Sequence, residues 1–171
     1  MNIRQQLLHN YSKESVEAIV TYVGDRTERY AELMQIFLYG EWREVQHASW
    51  AVGRCAEKNA TLAIPYLPAM MEKIKHPHHN AVQRNVLRLF QFITIPEELL
   101  GETVDVCFKI LNDPQIPVAN RVFSMTILHN ACQREPDLAN ELRETIEVHL
   151  PTGSAALRSR GNKILKALKS S

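Results

Sequence analysis

No stretch of this 171-residue sequence stays apolar for the ~20 residues that a membrane-spanning helix requires. Its opening, MNIRQQLLHN, lacks the apolar core of a secretory leader, and an N-terminal lipidation signal is missing too. Cysteine is scarce. Cys55, Cys107 and Cys132 are odd in number, widely spaced and set inside apolar helical patterns, with no CxxC pair. They read as reduced, mostly buried thiols in a cytoplasmic protein. No Gly-rich phosphate loop, GxSxG or HExxH occurs, so the common nucleotide, hydrolase and zinc-protease signatures are absent. Neither is there an excess of one charge: 20 basic and 19 acidic residues leave a formal +1. That balance does not by itself announce a nucleic-acid or membrane partner.

What is present is an ordinary globular composition, 45% hydrophobic and 23% charged, at a length that predicts one domain with a real core. Apolar residues recur at three and four, as in Val82, Val86, Leu89, Phe90 and Ile93, and strand-like alternation never persists. Breakers fall at Gly24, Gly40, Pro77, Pro96, Pro114, Pro136 and Pro151. Asp25 with Glu28 fits a capping box. Glu97, Glu98 and Asp137 sit in first turns behind prolines, where the helix dipole favours acids.

The breakers keep a period. Gly40, Pro77, Pro114 and Pro151 stand 37 residues apart, and so do His47, Arg84, Arg121 and Arg158. The helix before each turn repeats its register: Tyr30, Leu33, Met34, Phe37 becomes Leu67, Met70, Met71, Ile74, then Val104, Cys107, Phe108, Leu111. A fixed period holding two helices is the signature of an α-solenoid. The spacing predicts first helices near 26–39, 62–75, 97–112 and 137–149, and second helices near 41–58, 79–94, 116–134 and 154–168. Helices near 2–9 and 13–23 would form a cap over 1–24, followed by repeats at about 25–59, 60–95, 96–134 and 135–169. The fourth copy is looser, with Glu141 where the register asks for an apolar residue. Phe90 and Ile127, one period apart, are expected to be buried at the helix seam.

The stretch KILNDPQIPVANR, residues 109–121, resembles the turn of a HEAT repeat. In that family the first helix ends in Leu-x-Asp-Pro, and the second opens with an apolar residue and an arginine. Leu111, Asp113, Pro114, Val118 and Arg121 stand in those places, and the turn at 76–84 keeps Pro77 and Arg84 with His76 for the aspartate. The likeness covers about residues 25–169. It implies an all-α, right-handed α-α superhelix of about four helix pairs, in which second helices line a concave binding side.

The histidines of HPHHNAVQR, His76, His78 and His79, tempt a metal reading. Zinc wants about four convergent ligands, and no second Cys or His pair lies nearby. The stretch is read as an inter-helix turn with His79 or Asn80 as N-cap, and no metal or cofactor is expected. His129 and Cys132 share a helix face, but a core thiol beside a satisfied histidine accounts for them without catalysis. Trp50 is expected to pack and Trp42 to be exposed near a helix start; both are candidate aromatic contacts.

Charge placement carries most information. Residues 78–94, 115–134 and 153–169 contain no Asp or Glu, and include Arg84, Arg88, Arg121, Arg158, Arg160 and Lys163. The first helices reverse this with Glu102, Asp105, Glu141, Glu144 and Glu147, beyond the acids that dipoles explain. The HEAT resemblance offers one account: its repeated arginine bonds aspartates in adjacent turns as an internal ladder. Only Asp113 is available for that here, with Tyr39, His76 and Leu150 at the equivalent positions. The other account is a basic surface for an acidic protein or peptide. Both stand open. The expected function is a non-enzymatic adaptor. The alternative is a nucleic-acid binder akin to bacterial helical-repeat DNA alkylation repair glycosylases, which need a carboxylate near aromatics. Only Glu41, Glu44 and Glu57, near Trp42 and Trp50, offer one, and no catalytic motif matches residue by residue.

Overall fold

The computed structural model describes residues 1–170. Over those residues the fold is all α: α1 Ile3–His9, α2 Lys13–Val23, α3 Thr27–Tyr39, α4 Trp42–Lys58, α5 Leu67–Lys75, α6 Asn80–Phe90, α7 Glu97–Asn112, α8 Val118–Cys132, α9 Leu138–His149 and α10 Ala155–Lys169. Contacts gather them into two compact units, Met1–Ile93 and Thr94–Ser171. In the first, α4 is central and touches α1, α2, α3 and α6, while α5 packs on α6. In the second, α8 is central and touches α7, α9 and α10.

Local chemistry explains the helix starts. Asn2 accepts from the Gln5 N–H at 2.9 Å to open α1, Ser12 from Ser15 to open α2, and Ser154 from Leu157 to open α10. Glu44 reaches back to the Glu41 N–H at 2.9 Å, so α4 has the capping-box contact. The box expected at Asp25 and Glu28 does not form. Arg26 is the N-cap residue, without a side-chain bond, and Asp25 instead accepts from Asn59 at 3.0 Å. His79 caps α6, its Nδ1 accepting from the Ala81 N–H at 3.1 Å. Gly24 ends α2 at φ +50°, a conformation that glycine adopts without the Cβ cost.

Three expected elements are altered. The helix over 62–75 begins only at Leu67, after three-residue turns at Ala60–Leu62 and Ile64–Tyr66. Pro65 and Pro68 cannot donate to a continuous ladder, so the first half winds as short turns. The helix over 79–94 stops at Phe90, where the Phe92 N–H tightens onto the Leu89 carbonyl at 3.0 Å. α9 buries Leu142 and Ile146, while Glu141 and Val148 are exposed. Its buried face lies one position later than the 37-residue register asks, a rotation of about 100° on an α-helix.

The core follows the period in the first two copies, whereas in the third Cys107, Phe108 and Leu111 are buried but Val104 is only half-buried, with Thr103 taking the inner place beside it. Tyr30, Leu33, Met34 and Phe37 are fully buried on α3, and Leu67, Met70, Met71 and Ile74 repeat this on α5. Phe90 is 1% exposed and Ile127 2%, as their spacing predicts. Each such side chain contributes about 1.5–3 kcal/mol, against about 0–1 kcal/mol for a surface ion pair, so apolar seams hold these helices together. On α10, Gly161 lets the backbone approach closely: a Cβ there would stand 3.0 Å from both Ile146 and Leu150. No described helix is long and apolar enough to cross a membrane.

Candidate functional site

The repeated arginine position does not do one job. Arg121 on α8 is buried, 7% exposed, and its Nε donates to the Leu111 carbonyl at 2.9 Å. Burial holds its guanidinium below the usual arginine value, with the Asp113 carboxylate acting the other way. Asp113 itself accepts from the Gln115 N–H at 2.8 Å. The internal role is therefore a tie to the end of the preceding helix.

One repeat earlier the same tie is made by a neighbour. Gln83, also buried, donates to the Ile74 carbonyl at 2.9 Å. Ile74 and Leu111 are one period apart, so the acceptor is equivalent although the donor is not. Arg84 is left exposed, with no hydrogen bond or ion pair among the described residues. The two accounts of the repeated arginine, internal ladder and basic surface, divide by position: Arg84 and Arg158 are exposed, whereas Arg121, a candidate for the basic surface, is buried.

The other cations also divide. Arg88 joins a network: it lies 2.9 Å from Glu57, which meets Arg54 at 2.5 Å, which meets Glu17 at 2.8 Å, with Lys58 3.7 Å from Glu17. The Arg54 hydrogen bond holds the Glu17 carboxyl below its ordinary range. Network and buried positions thus account for Arg88 and Arg121. In the second unit Arg158 donates to the Gly153 carbonyl at 2.5 Å, and Arg160 donates to the Thr126 hydroxyl. Lys163 is exposed and makes no ion pair among the described residues.

α10 carries Arg158, Arg160, Lys163, Lys166 and Lys169 and no acidic residue. Its buried stripe, Leu157, Gly161, Ile164 and Leu168, faces α8 and α9, which leaves Arg158, Lys163, Lys166 and Lys169 exposed while Arg160 reaches Thr126 of α8. The acids of α7 and α9 are exposed as well. Asp105 lies 4.0 Å from Lys109 and Glu97 meets Arg134, whereas Glu141, Glu144 and Glu147 make no ion pair among the described residues. Cross-helix pairing therefore does not consume the charge split.

Trp42 is 62% exposed at the start of α4. Trp50 is half-buried and meets the Tyr11 ring edge-on at 5.7 Å. Eight positions separate the tryptophans, about 12 Å along a helix, so they do not form one aromatic site. Of the carboxylates near them, Glu44 is buried in its cap and 3.3 Å from Arg4, and Glu57 lies between Arg54 and Arg88. His76, His78 and His79 lie in an exposed turn, and no group of three or more potential metal-ligating residues gathers among the described residues.

All three thiols are free and buried. Burial pushes Cys55 and Cys107 up to about 12 and raises Cys132, while it lowers the neighbouring His129. A nucleophile needs the opposite arrangement. At pH 8 a thiol titrating near 12 is ionised to a fraction of roughly 10⁻⁴. Ellman's reagent is accordingly expected to label the native protein far more slowly than the urea-unfolded chain. Rapid native labelling of Cys55 or Cys107 would contradict that burial.

The family described as HEAT repeat domain matches the chain over residues 3–168. Neither a curated protein nor a solved structure matches it.

Proposed function

The chain belongs to the HEAT repeat domain family, whose members generally serve as protein-interaction scaffolds, and from that premise we propose a non-catalytic module that holds an acidic protein or peptide segment against the cations of its second helices. The observation that carries this reading is α10, where Arg158, Arg160, Lys163, Lys166 and Lys169 share one helix without an acid. Within it Arg158 and Lys163 are exposed, and Arg160 stands beside them on the same helix. In the first unit, taken by itself, Arg84 is an exposed cation on α6. Arg121 drops out of the contact set because burial and its carbonyl bond occupy it. Arg160, Lys163, Lys166 and Lys169 follow one another at three positions, about a helical turn, so neighbouring charges lie within a Debye length, about 8 Å in physiological salt, and an acidic segment would feel them together.

The test is a double reversal, Arg158→Glu with Lys163→Glu, and an acidic probe peptide. Both side chains are exposed, so folding stability is expected to change by less than about 1 kcal/mol. Affinity for octaglutamate is expected to fall roughly tenfold or more, mainly through slower association. Unchanged binding in the folded double variant would remove α10 from the reading. Nucleic acid is the competing ligand class, and salt distinguishes it. A duplex held by phosphate contacts would lose affinity with a log–log slope of about −0.9 per phosphate neutralised.

A further inference from the structure

Tyr11 sits in the three-residue link between α1 and α2, next to Ser12, whose side chain caps α2. Its ring lies flat on the His47 imidazole, with centroids 4.0 Å apart and planes 10° apart. Trp50, one turn further along α4, meets the same phenol edge-on. His47 is fixed from behind, its Nδ1 2.8 Å from the Leu7 carbonyl. A carbonyl can only accept, so Nδ1 carries the proton. The three rings thus form a wall anchored to α1 and α4, and Tyr11 remains 41% exposed.

Arg84 lies on α6, the helix packed against the one that carries His47 and Trp50. It holds the register position of His47 one period later, and α6 packs on α4. Asn85, the next residue, donates to the Ser49 hydroxyl at 3.1 Å, which pins the two helices in register at this level. Burial raises the Tyr11 phenol above its ordinary value, and the Arg84 charge acts the other way. Because Gln83 ties down the Ile74 carbonyl, Arg84 is left exposed with no hydrogen bond or ion pair among the described residues.

A guanidinium fork and a phenol hydroxyl offer donors to an anion, and the exposed part of a fixed ring offers apolar surface to the carbons beside it. We propose that Tyr11, His47, Trp50 and Arg84 form an anchoring site for one glutamate side chain of an acidic peptide. Its carboxylate would take the Arg84 fork and its methylenes would lie along Tyr11. This rests on the reading of the protein as a binder of acidic segments, and it adds to that reading a contact site in the first unit, apart from α10. Glutamate suits the site better than a bare phosphate because the wall supplies apolar contact as well as charge.

The experiment uses fluorescein-labelled octaglutamate with the full chain and its Arg84→Gln, Tyr11→Phe and Arg158→Glu/Lys163→Glu variants. It also follows the two indole N–H resonances. On adding unlabelled octaglutamate, the Trp50 resonance is expected to shift while that of Trp42 stays in place. Arg84→Gln is expected to weaken binding roughly tenfold with an unchanged melting temperature. Tyr11→Phe, which keeps the stack, is expected to weaken it by less. If octaglutamate binds and responds to the α10 reversals but not to Arg84→Gln, the anchor is overturned and the broader reading stands. If the wild-type chain does not bind octaglutamate at all, both fall. A shift of Trp50 produced by oligothymidylate and not by octaglutamate would overturn the proposal in favour of nucleic acid.

Discussion

Phe90→Ala is expected to lower the unfolding free energy by about 3–5 kcal/mol, the largest loss foreseen for a single truncation in this chain. Phe90 is 1% exposed in the last turn of α6. Truncation removes the ring from a packed seam and leaves a cavity that rigid helices close only in part. A whole domain is stable by only about 5–15 kcal/mol, so the first unit would be close to its limit. Phe92, two positions later and 61% exposed, supplies the control. Its replacement by alanine is expected to cost less than about 0.5 kcal/mol. Denaturant titration decides the matter, through a midpoint that falls for Phe90→Ala at constant slope. Similar midpoints for the two variants would mean that the register of α6 is wrong.

The second large effect separates two arginines that share a repeat position. Arg121→Ala is expected to cost about 1–3 kcal/mol, because the Leu111 carbonyl loses its side-chain donor in a buried setting. Arg121→Glu is expected to cost more, about 3–5 kcal/mol. It would set a carboxylate, also buried, against that carbonyl and near Asp113, with no cation to answer it. Arg84→Glu, at an exposed position without a hydrogen bond or ion pair among the described residues, is expected to change stability by about 0.5 kcal/mol or less. Thermal or urea unfolding of the three variants side by side makes the comparison. Equal losses at 84 and 121 would show that the two positions are structurally alike after all.

The contrast also shows what a sequence can and cannot convey. Helix placement is legible because breakers and apolar spacing are local: α7 spans Glu97–Asn112, where the period puts it. The failures share a physical cause, namely competition that spacing does not encode. Pro65 and Pro68 interrupt a pattern that is otherwise helical. Asp25 has a helix start within reach, yet an asparagine from elsewhere in the unit takes it. α9 follows its own apolar pair, Leu142 and Ile146, rather than the register inherited from earlier copies. The charge split is legible as well. Which cation turns inward is not, because that depends on whether a neighbour such as Gln83 reaches the carbonyl first. The ring contact of Tyr11 with His47 is not legible, because Tyr11 lies outside the periodic segments. The one available hint was His47, the single member of its register that is not an arginine.

The exchange between Gln83 and Arg121 bears on how such a chain can change over generations. A repeat constrains tasks, and a task can move to an adjacent letter when the adjacent side chain is long enough to perform it. Once Gln83 holds the Ile74 carbonyl, position 84 is released from structural duty and its side chain is free to be selected for what it meets outside the protein. In the next copy the duty rests on position 121, and that position is closed to the same variation. Repeats of one pattern can in this way carry separate freedoms without any change of fold, and the place to look for a repeat's own specificity is beside a residue that does its neighbour's work.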